Sequence, residues 1–134
     1  MNNENKKLNI SEELSRAEKA YRSAILLFEN DLISDAVSKL YYYLLYHVRA
    51  ILLSKDLEPR SHEGALRLFS LHFVKTGVFD TGASHVFSKM MKFREEADYN
   101  PSYSFTSGDF TDFKEEVEII TRQIKDCLTQ QNLL

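Results

Sequence analysis

The stretch that decides the fold is Asp35-Ala-Val-Ser-Lys-Leu-Tyr-Tyr-Tyr-Leu-Leu-Tyr-His-Val-Arg-Ala-Ile-Leu-Leu53, which is apolar around most of its helical circumference. A helix that is apolar on nearly all sides is usually buried on several of them, so this stretch predicts the central helix of a bundle. Lys39 and Arg49 argue against a membrane span, where buried charge is costly. With a spacing of three or four residues, one face carries Ile33, Val37, Leu40, Leu44, Val48 and Ile51.

The composition is that of one globular domain. The 134 residues are 43% hydrophobic and 28% charged, which is ordinary for a folded protein with a single core. Only 4 glycines and 2 prolines are present, which favours helices over a turn-rich all-β fold. The net charge of -3 gives no overall attraction to nucleic acid, so any RNA contact would need a local basic patch.

Cysteine and histidine usage predicts neither a metal site nor another cofactor. Cys127 is the only cysteine, which excludes an intramolecular disulfide and a thiolate metal cluster. The 4 histidines show no metal-ligand spacing on one helix.

The N-terminal segment is polar and has no apolar signal core, so we expect a cytoplasmic protein that is not associated with a membrane.

Helix-start and helix-stop signals divide the chain into five helices, joined by mostly short connections, which predicts an all-α, up-and-down bundle. The connection of residues 99–108 is polar but carries three aromatic residues, so it is either folded onto the bundle or a binding surface. The predicted segments are a flexible tail at 1–10, the bundle at 11–129 and a flexible end at 130–134. The first helix is predicted to begin near Ser11 and to end at the Asn30-Asp31 turn, and the central helix is predicted to end near Lys55. Ser61 and Gly77 mark the predicted start and end of the third helix. The fourth helix is predicted from Asp80 or Thr81 to Asn100, and the last from Asp109 to Leu128.

The most informative polar pair is Arg94 and Asp98, which lie one helical turn apart and can form an ion pair. One interpretation is a surface or loop-anchoring salt bridge. The other is a semi-buried guanidinium at the mouth of the bundle, which would suit a phosphate because it can donate two parallel hydrogen bonds.

Two further features leave alternatives open. His47 is either a hydrogen-bonded core histidine or a ring that lines a cleft with Tyr42, Tyr46 and Arg94. The first helix also carries a basic stripe, which is either solvated surface or a phosphate-contacting face. That stripe consists of Arg16, Lys19 and Arg22.

An ordered set of short motifs is similar to a known family. The set is Ala36-Val-Ser-Lys-x-Tyr41-Tyr42, Tyr46-His47, Ile51-Leu-Leu53, Ser61-His62-x-Gly64, Phe69, Phe73-Val-x-x-Gly77 and Arg94-x-x-Ala97-Asp98-Tyr99. Over about residues 11–128, the chain resembles the HEPN domain in its small stand-alone prokaryotic branch. The resemblance implies a five-helix bundle, commonly a homodimer, often encoded beside a minimal nucleotidyltransferase in toxin–antitoxin modules.

Active members of that family are metal-independent ribonucleases. The resemblance implies that an arginine holds the scissile phosphate and that a histidine about four to six residues later assists transfer from the 2′-hydroxyl. Arg94 matches the arginine, whereas Asp98, Tyr99 and Asn100 stand where the histidine is expected. Lys39 stands where many relatives have arginine, which keeps the charge without the bidentate fork.

The resemblance and its departures favour a partner and binding module over an enzyme. The predicted protein binds nucleotide or RNA phosphate and pairs with a minimal nucleotidyltransferase. An alternative is a ribonuclease toxin in which His47 or His62 replaces the missing histidine, and a third is a structural helper in which Arg94 and Asp98 latch a loop. The predicted binding residues are Arg94, Asp98, Tyr99, Lys39, Tyr42 and His62, and the candidate catalytic residues are Arg94 and His47.

Overall fold

A computed structural model describes residues 2–134, and its regular structure is five α-helices with one short π-helical turn. Residues 2–134 contain no β-strand, so the predicted all-α, five-helix bundle is confirmed. The helices are α1 (Asn3–Glu29), α2 (Ile33–Leu53), α3 (His62–Phe69), α4 (Thr81–Tyr99) and α5 (Ser107–Gln130), and the π-helical turn Ser70–Val74 follows α3.

Helix α2 is the centre of the bundle, as its all-round apolar pattern predicts. It packs against α1, α3, α4 and α5, and 13 of its 21 residues are buried. Helix α1 forms a hairpin with α2 through a tight turn in which Asp31 takes the left-handed conformation (φ 62°). A helix that is surrounded in this way can present side chains to several different surfaces of the molecule.

Local capping chemistry sets where α3 and α5 begin and where the segment after α3 ends. The Ser61 hydroxyl accepts a hydrogen bond from the Gly64 N–H at 2.9 Å, which fixes His62 as the first residue of α3. Thr106 and Asp109 form a reciprocal capping box at the start of α5. Gly77 has φ +82°, the left-handed conformation that its predicted helix-ending role requires.

The predicted start of the first helix near Ser11 is wrong. Helix α1 begins at Asn3, and the Asn2 side chain caps it by accepting a hydrogen bond from the Asn5 N–H at 2.8 Å. Ile10 is fully buried in the core, so residues before the predicted start at Ser11 already pack against the bundle. Lys6 also reaches the end of α2, where its Nζ lies 3.3 Å from the Ser54 carbonyl oxygen.

The two segments around α5 both return to the bundle. Phe105 is buried against Phe93 and Phe113, so this part of the connection of residues 99–108 folds onto the bundle, whereas Tyr99 and Tyr103 are exposed. Beyond α5, Leu133 is buried and its N–H donates to the Leu128 carbonyl oxygen at 3.0 Å. An apolar side chain close to the chain end therefore completes the core instead of lying in solvent.

Candidate functional site

Arg94 lies among tyrosine rings supplied by two helices. Its Cζ atom is 5.5 Å from the ring centroid of Tyr41 and 5.9 Å from that of Tyr42, both on α2. Tyr99, at the end of α4, places a third ring centroid at 5.9 Å. Only 12% of the Arg94 side chain is exposed. A guanidinium at these distances is attracted by the negative faces of the rings, so it is held in place without being neutralised.

The hydrogen-bonding capacity of Arg94 is largely unused. Its Nη1 lies 3.7 Å from Oδ2 of Asp98, which is too long for a hydrogen bond. Its Nε is buried and has no hydrogen-bond partner among residues 2–134. Because a guanidinium carries five N–H donors and no acceptor, a semi-buried one in this state can serve an incoming anion. The second interpretation of Arg94, a semi-buried cation at the bundle mouth, describes this arrangement.

A tyrosine–histidine pair adjoins the arginine. The Tyr41 hydroxyl group is 2.6 Å from Nδ1 of His62, and the two rings stack with centroids 5.5 Å apart. Burial lowers the pKa of His62, and the positive charge of Arg94 lowers it further, so both effects favour the neutral ring. Burial raises the pKa of Tyr41, so its hydroxyl keeps its proton. Burial therefore favours the neutral form of both members of the pair.

A cleft of about 710 Å³ opens beside this cluster, between α1 and α2. Tyr42 and Asp98 line it and also face Arg94, so the cleft and the arginine share one boundary. Arg22, the third residue of the predicted basic stripe, lies outside the cleft and is paired with Glu18 at 3.9 Å. The residues that line the cleft are Arg16, Lys19, Ala20, Ser23, Leu27, Asp35, Ser38, Lys39, Tyr42, Tyr46 and Asp98.

The structure brings most of the predicted site residues together. Asp98, Tyr99, Tyr42 and His62 surround Arg94, and Lys39 lies on the adjoining cleft. Tyr41 was not predicted as a site residue, because the helical pattern assigned it to a packing face. The signal that could have found it is chemical, since a buried tyrosine hydroxyl needs a hydrogen-bond partner from a neighbouring element.

His47 does not belong to this cluster. It is buried against Tyr43, and its Nδ1 lies 2.9 Å from the Tyr43 carbonyl oxygen. Burial lowers the pKa of His47 to about 4, and the charge of Lys125 on α5 adds to this effect. The core-histidine alternative fits this position, and the alternative of a ring lining a cleft with Tyr42 and Arg94 does not. The reason is that Tyr43 and His47 face α1 and α5, whereas Tyr42 faces the cleft.

The described part of the chain offers no metal-binding cluster of three or more histidine, cysteine, aspartate or glutamate residues. Within residues 2–134, no helix combines the length and the hydropathy needed to cross a bilayer.

Nearly the whole chain matches one protein family. Residues 10–127 match the model of the HEPN domain. The chain belongs to the HEPN family. Two relatives of this HEPN chain from Methanocaldococcus jannaschii, each called a "putative toxin", are 27% identical to it over 121 residues and 32% identical over 114 residues. The alignments cover 90% and 85% of this chain and 82% and 84% of the relatives.

A third relative, from Thermotoga maritima, carries only the family designation UPF0332. It is 35% identical over 101 residues, which is 75% of this HEPN chain and 70% of the relative. The family match over residues 10–127 contains all five helices except the first turns of α1 and the last residues of α5. In this HEPN protein, the cluster around Arg94 is thus part of the matched domain.

Proposed function

We propose that this HEPN protein is a component of a toxin–antitoxin-like module that binds the phosphate of a nucleotide or RNA at Arg94. The single observation that carries the proposal is the state of the guanidinium, which is mostly buried, ringed by aromatic faces and short of hydrogen-bond acceptors. The names of the M. jannaschii relatives support the toxin-like assignment.

Each neighbour has a separate role in this proposal. Arg94 donates to the phosphate oxygens, and Asp98 orients the guanidinium from 3.7 Å without saturating it. Tyr99 is 75% exposed, so its ring is available to a base or sugar next to the phosphate. His62 and Tyr42 form the wall behind the guanidinium.

Substitution of Arg94 tests the proposal directly. Binding of a fluorescently labelled RNA oligonucleotide and of AMP is measured for the wild type, Arg94→Ala and Arg94→Lys. Loss of a charge-assisted contact of about 1.5–3 kcal/mol weakens binding about ten- to a hundredfold in Arg94→Ala. Arg94→Lys recovers only part of this, because an ammonium lacks the bidentate fork.

The matched control is Lys75→Ala, which removes an exposed cation that follows the π-helical turn. It is expected to bind both ligands like the wild type. Circular dichroism checks that each variant keeps its helix content. If a folded Arg94→Ala variant binds as well as the wild type, Arg94 is not the phosphate site and the proposal fails.

The partner of this protein in such a module is proposed to be a minimal nucleotidyltransferase, and the protein itself is proposed to act as a homodimer. Size-exclusion chromatography with light scattering gives the oligomeric state of the purified protein. Co-expression with a nucleotidyltransferase encoded next to it, followed by co-purification through a tag on one partner only, tests the pairing. A monomer that does not retain the co-expressed protein contradicts both statements.

The Tyr41–His62 pair favours a second candidate function, that of a metal-independent ribonuclease. In that reaction, neutral His62 donates its Nδ1–H to the Tyr41 hydroxyl oxygen and accepts the proton of the 2′-hydroxyl at Nε2, and the resulting oxygen nucleophile attacks the adjacent phosphorus. The bond between phosphorus and the 5′-oxygen breaks, and the departing 5′-oxygen takes up the proton that His62 accepted, leaving a 2′,3′-cyclic phosphate and a 5′-hydroxyl. Arg94 stabilises the charge on the phosphoryl oxygens, which is electrostatic catalysis by a fixed cation.

A cleavage assay in the presence of a chelator decides between the two functions. Total RNA is incubated with the wild type, Arg94→Ala and His62→Gln, each purified in the same way. Cleavage that is lost in both variants supports the ribonuclease with His62 as its acid–base group. Absence of cleavage by all three leaves the binding component as the function, and equal cleavage by all three indicates a contaminating nuclease.

A further inference from the structure

We infer that a small polar pocket, formed by the N-terminal half of α1, the end of α2 and the loop that follows it, binds a primary ammonium group. The group is the charged end of an aliphatic chain, either a free polyamine or a lysine side chain of another protein. The pocket shares only Arg16 with the cleft beside the Arg94 cluster, and its ligand is a cation. The inference therefore does not depend on the proposed function.

Glu13 places a buried carboxylate in this pocket. The residue is 9% exposed, and its Oε1 accepts a hydrogen bond from Nη1 of Arg16 at 3.1 Å. Its Oε2 is buried and has no hydrogen-bond partner among residues 2–134. Nε of Arg49 lies 4.0 Å from this oxygen, which is too long for a hydrogen bond. A buried charged oxygen without a donor is costly, so a ligand that brings a donor to Oε2 removes that cost.

The charges that line the pocket are not balanced. Three carboxylates, those of Glu12, Glu13 and Glu58, stand against the two guanidinium groups of Arg16 and Arg49. Within the described residues, Glu12 and Glu58 take part in no ion pair. Burial raises the pKa of Glu13 although Arg49 and Arg16 both lower it, so the two arginines do not fully compensate the buried carboxylate. One added positive charge would balance the lining.

The geometry at Glu13 favours an ammonium over a guanidinium. A guanidinium binds a carboxylate best through two parallel hydrogen bonds, and one oxygen of Glu13 already accepts from Arg16. An ammonium has three donors that do not lie in one plane. It can therefore donate to Oε2 of Glu13 and, at the same time, to the carboxylate of Glu12 or Glu58.

The size and the walls of the pocket fit the end of an aliphatic chain. Its volume of about 190 Å³ lies below the range of roughly 300–1,000 Å³ that is typical of sites for whole small molecules. Leu53, Leu57 and Pro59 line it and offer apolar contacts to methylene groups beside the charged end. Helix α2 also ends here without a basic residue in its last turn, and the C-terminal end of a helix dipole favours a cation.

Titration with small amines, followed in amide NMR spectra at neutral pH, tests this inference. The probe is n-butylammonium, which carries one primary ammonium group on a short chain. The comparison compounds are 1-butanol, n-butylguanidinium and n-butyltrimethylammonium. The first keeps the chain without the charge, the second changes the shape of the cation, and the third keeps the charge without an N–H donor.

The amide signals of Glu13, Leu57 and Glu58 are expected to shift with n-butylammonium, with a Kd on the order of 1 mM for so small a ligand. Binding of n-butylguanidinium is expected to be about fivefold weaker. The other two compounds should cause no shifts at these residues. Absence of shifts with n-butylammonium overturns the inference, and so does equal binding of n-butylguanidinium or n-butyltrimethylammonium.

Removal of single carboxylates identifies the groups that hold the ammonium. Glu13→Gln keeps the shape of the side chain and should weaken binding of n-butylammonium about tenfold or more, because a charge-assisted hydrogen bond is lost. Glu58→Gln lies in an exposed loop and should weaken it about two- to threefold. The matched control is Glu115→Gln, which removes the same charge from an exposed position on α5 and should bind like the wild type.

Circular dichroism checks that each variant keeps its helix content, and Glu58→Gln tests the pocket even if Glu13→Gln is unstable. If both folded pocket variants bind like the wild type, the pocket is not the site. If Glu115→Gln weakens binding as much as the pocket variants do, the amine responds only to overall charge and the inference fails.

Two further ligands distinguish the sources of the ammonium group. Spermidine represents a free polyamine, and Nα-acetyl-lysine methylamide represents a lysine side chain within a protein. The ligand that binds more tightly, and whose binding is weakened by Glu13→Gln, gives the source. If neither ligand shifts the amide signals of the pocket, the inference is wrong.

Discussion

The hydroxyl group of Tyr41 and Nδ1 of His62 are 2.6 Å apart, and their rings stack beside the guanidinium of Arg94. Tyr41 belongs to the centre of α2, and His62 is the first residue of α3. The hydrogen bond therefore joins two helices at the site and keeps an imidazole next to a cation that opposes its protonation.

Removing the charge of Arg94 is expected to raise the pKa of His62. Burial is the main cause of the lowered pKa of His62, and the positive charge of Arg94 is the next largest. In Arg94→Gln the burial remains and the repulsion is gone, so the pKa moves upward but stays below its ordinary value. An NMR titration of the His62 ring protons measures this change. Arg122→Gln, an exposed position on α5, serves as the control and should leave the titration unchanged.

His47 is expected to make the protein less stable in mild acid. Its pKa is about 4 in the folded protein, against an ordinary value of 6.5, so the unfolded chain takes up the proton first as the pH falls. The free energy of unfolding therefore has its full value above about pH 6.5. It falls progressively towards pH 4, by about 3 kcal/mol in total, as the unfolded chain binds the proton.

Urea unfolding between pH 7 and pH 4 measures this loss. His47→Gln should lack this contribution, so the free energy of unfolding should vary less with pH than in the wild type. His85→Gln, at an exposed position, should retain the wild-type dependence. Identical pH profiles for the wild type and His47→Gln would refute the assignment.

The end of the chain is expected to contribute measurably to stability. Leu133 is 7% exposed, so Leu133→Ala should lower the free energy of unfolding by about 2–3 kcal/mol. The neighbouring Leu134 is 56% exposed, so Leu134→Ala should change stability by less than about 0.5 kcal/mol. Chemical denaturation of the two single variants compares them. Equal stabilities would mean that Leu133 does not complete the core in solution.

Two glycines are expected to respond in opposite directions to alanine. Gly77 has φ +82°, so Gly77→Ala should cost about 1–2 kcal/mol because a Cβ atom is strained in the left-handed region. Gly108 lies in the first turn of α5, and an added Cβ would be 3.7 Å from Oγ1 of Thr106, an ordinary contact. Gly108→Ala should therefore stabilise the helix by about 0.5–1 kcal/mol. The two thermal unfolding midpoints should shift in opposite directions.

The sequence by itself determined the helical class, the central position of α2, the Ser61 cap and the left-handed Gly77, because each depends on residues close together in the chain. The same locality made Arg94 and Asp98 recognisable as a pair. The start of α1 was missed because the Asn2 cap, although local, lies outside the apolar pattern, and because the burial of Ile10 depends on packing against the rest of the bundle.

Only the tertiary structure decided which histidine joins the site. Helical spacing gave no reason to prefer His47 or His62 as the site histidine. Packing directs His47 inward against Tyr43 and brings His62 to Tyr41. The cleft has the same origin, since its lysines come from two helices that meet only when α1 folds onto α2. Distances between side chains on different helices depend on how the helices pack, and periodicity within one helix carries no information about that packing.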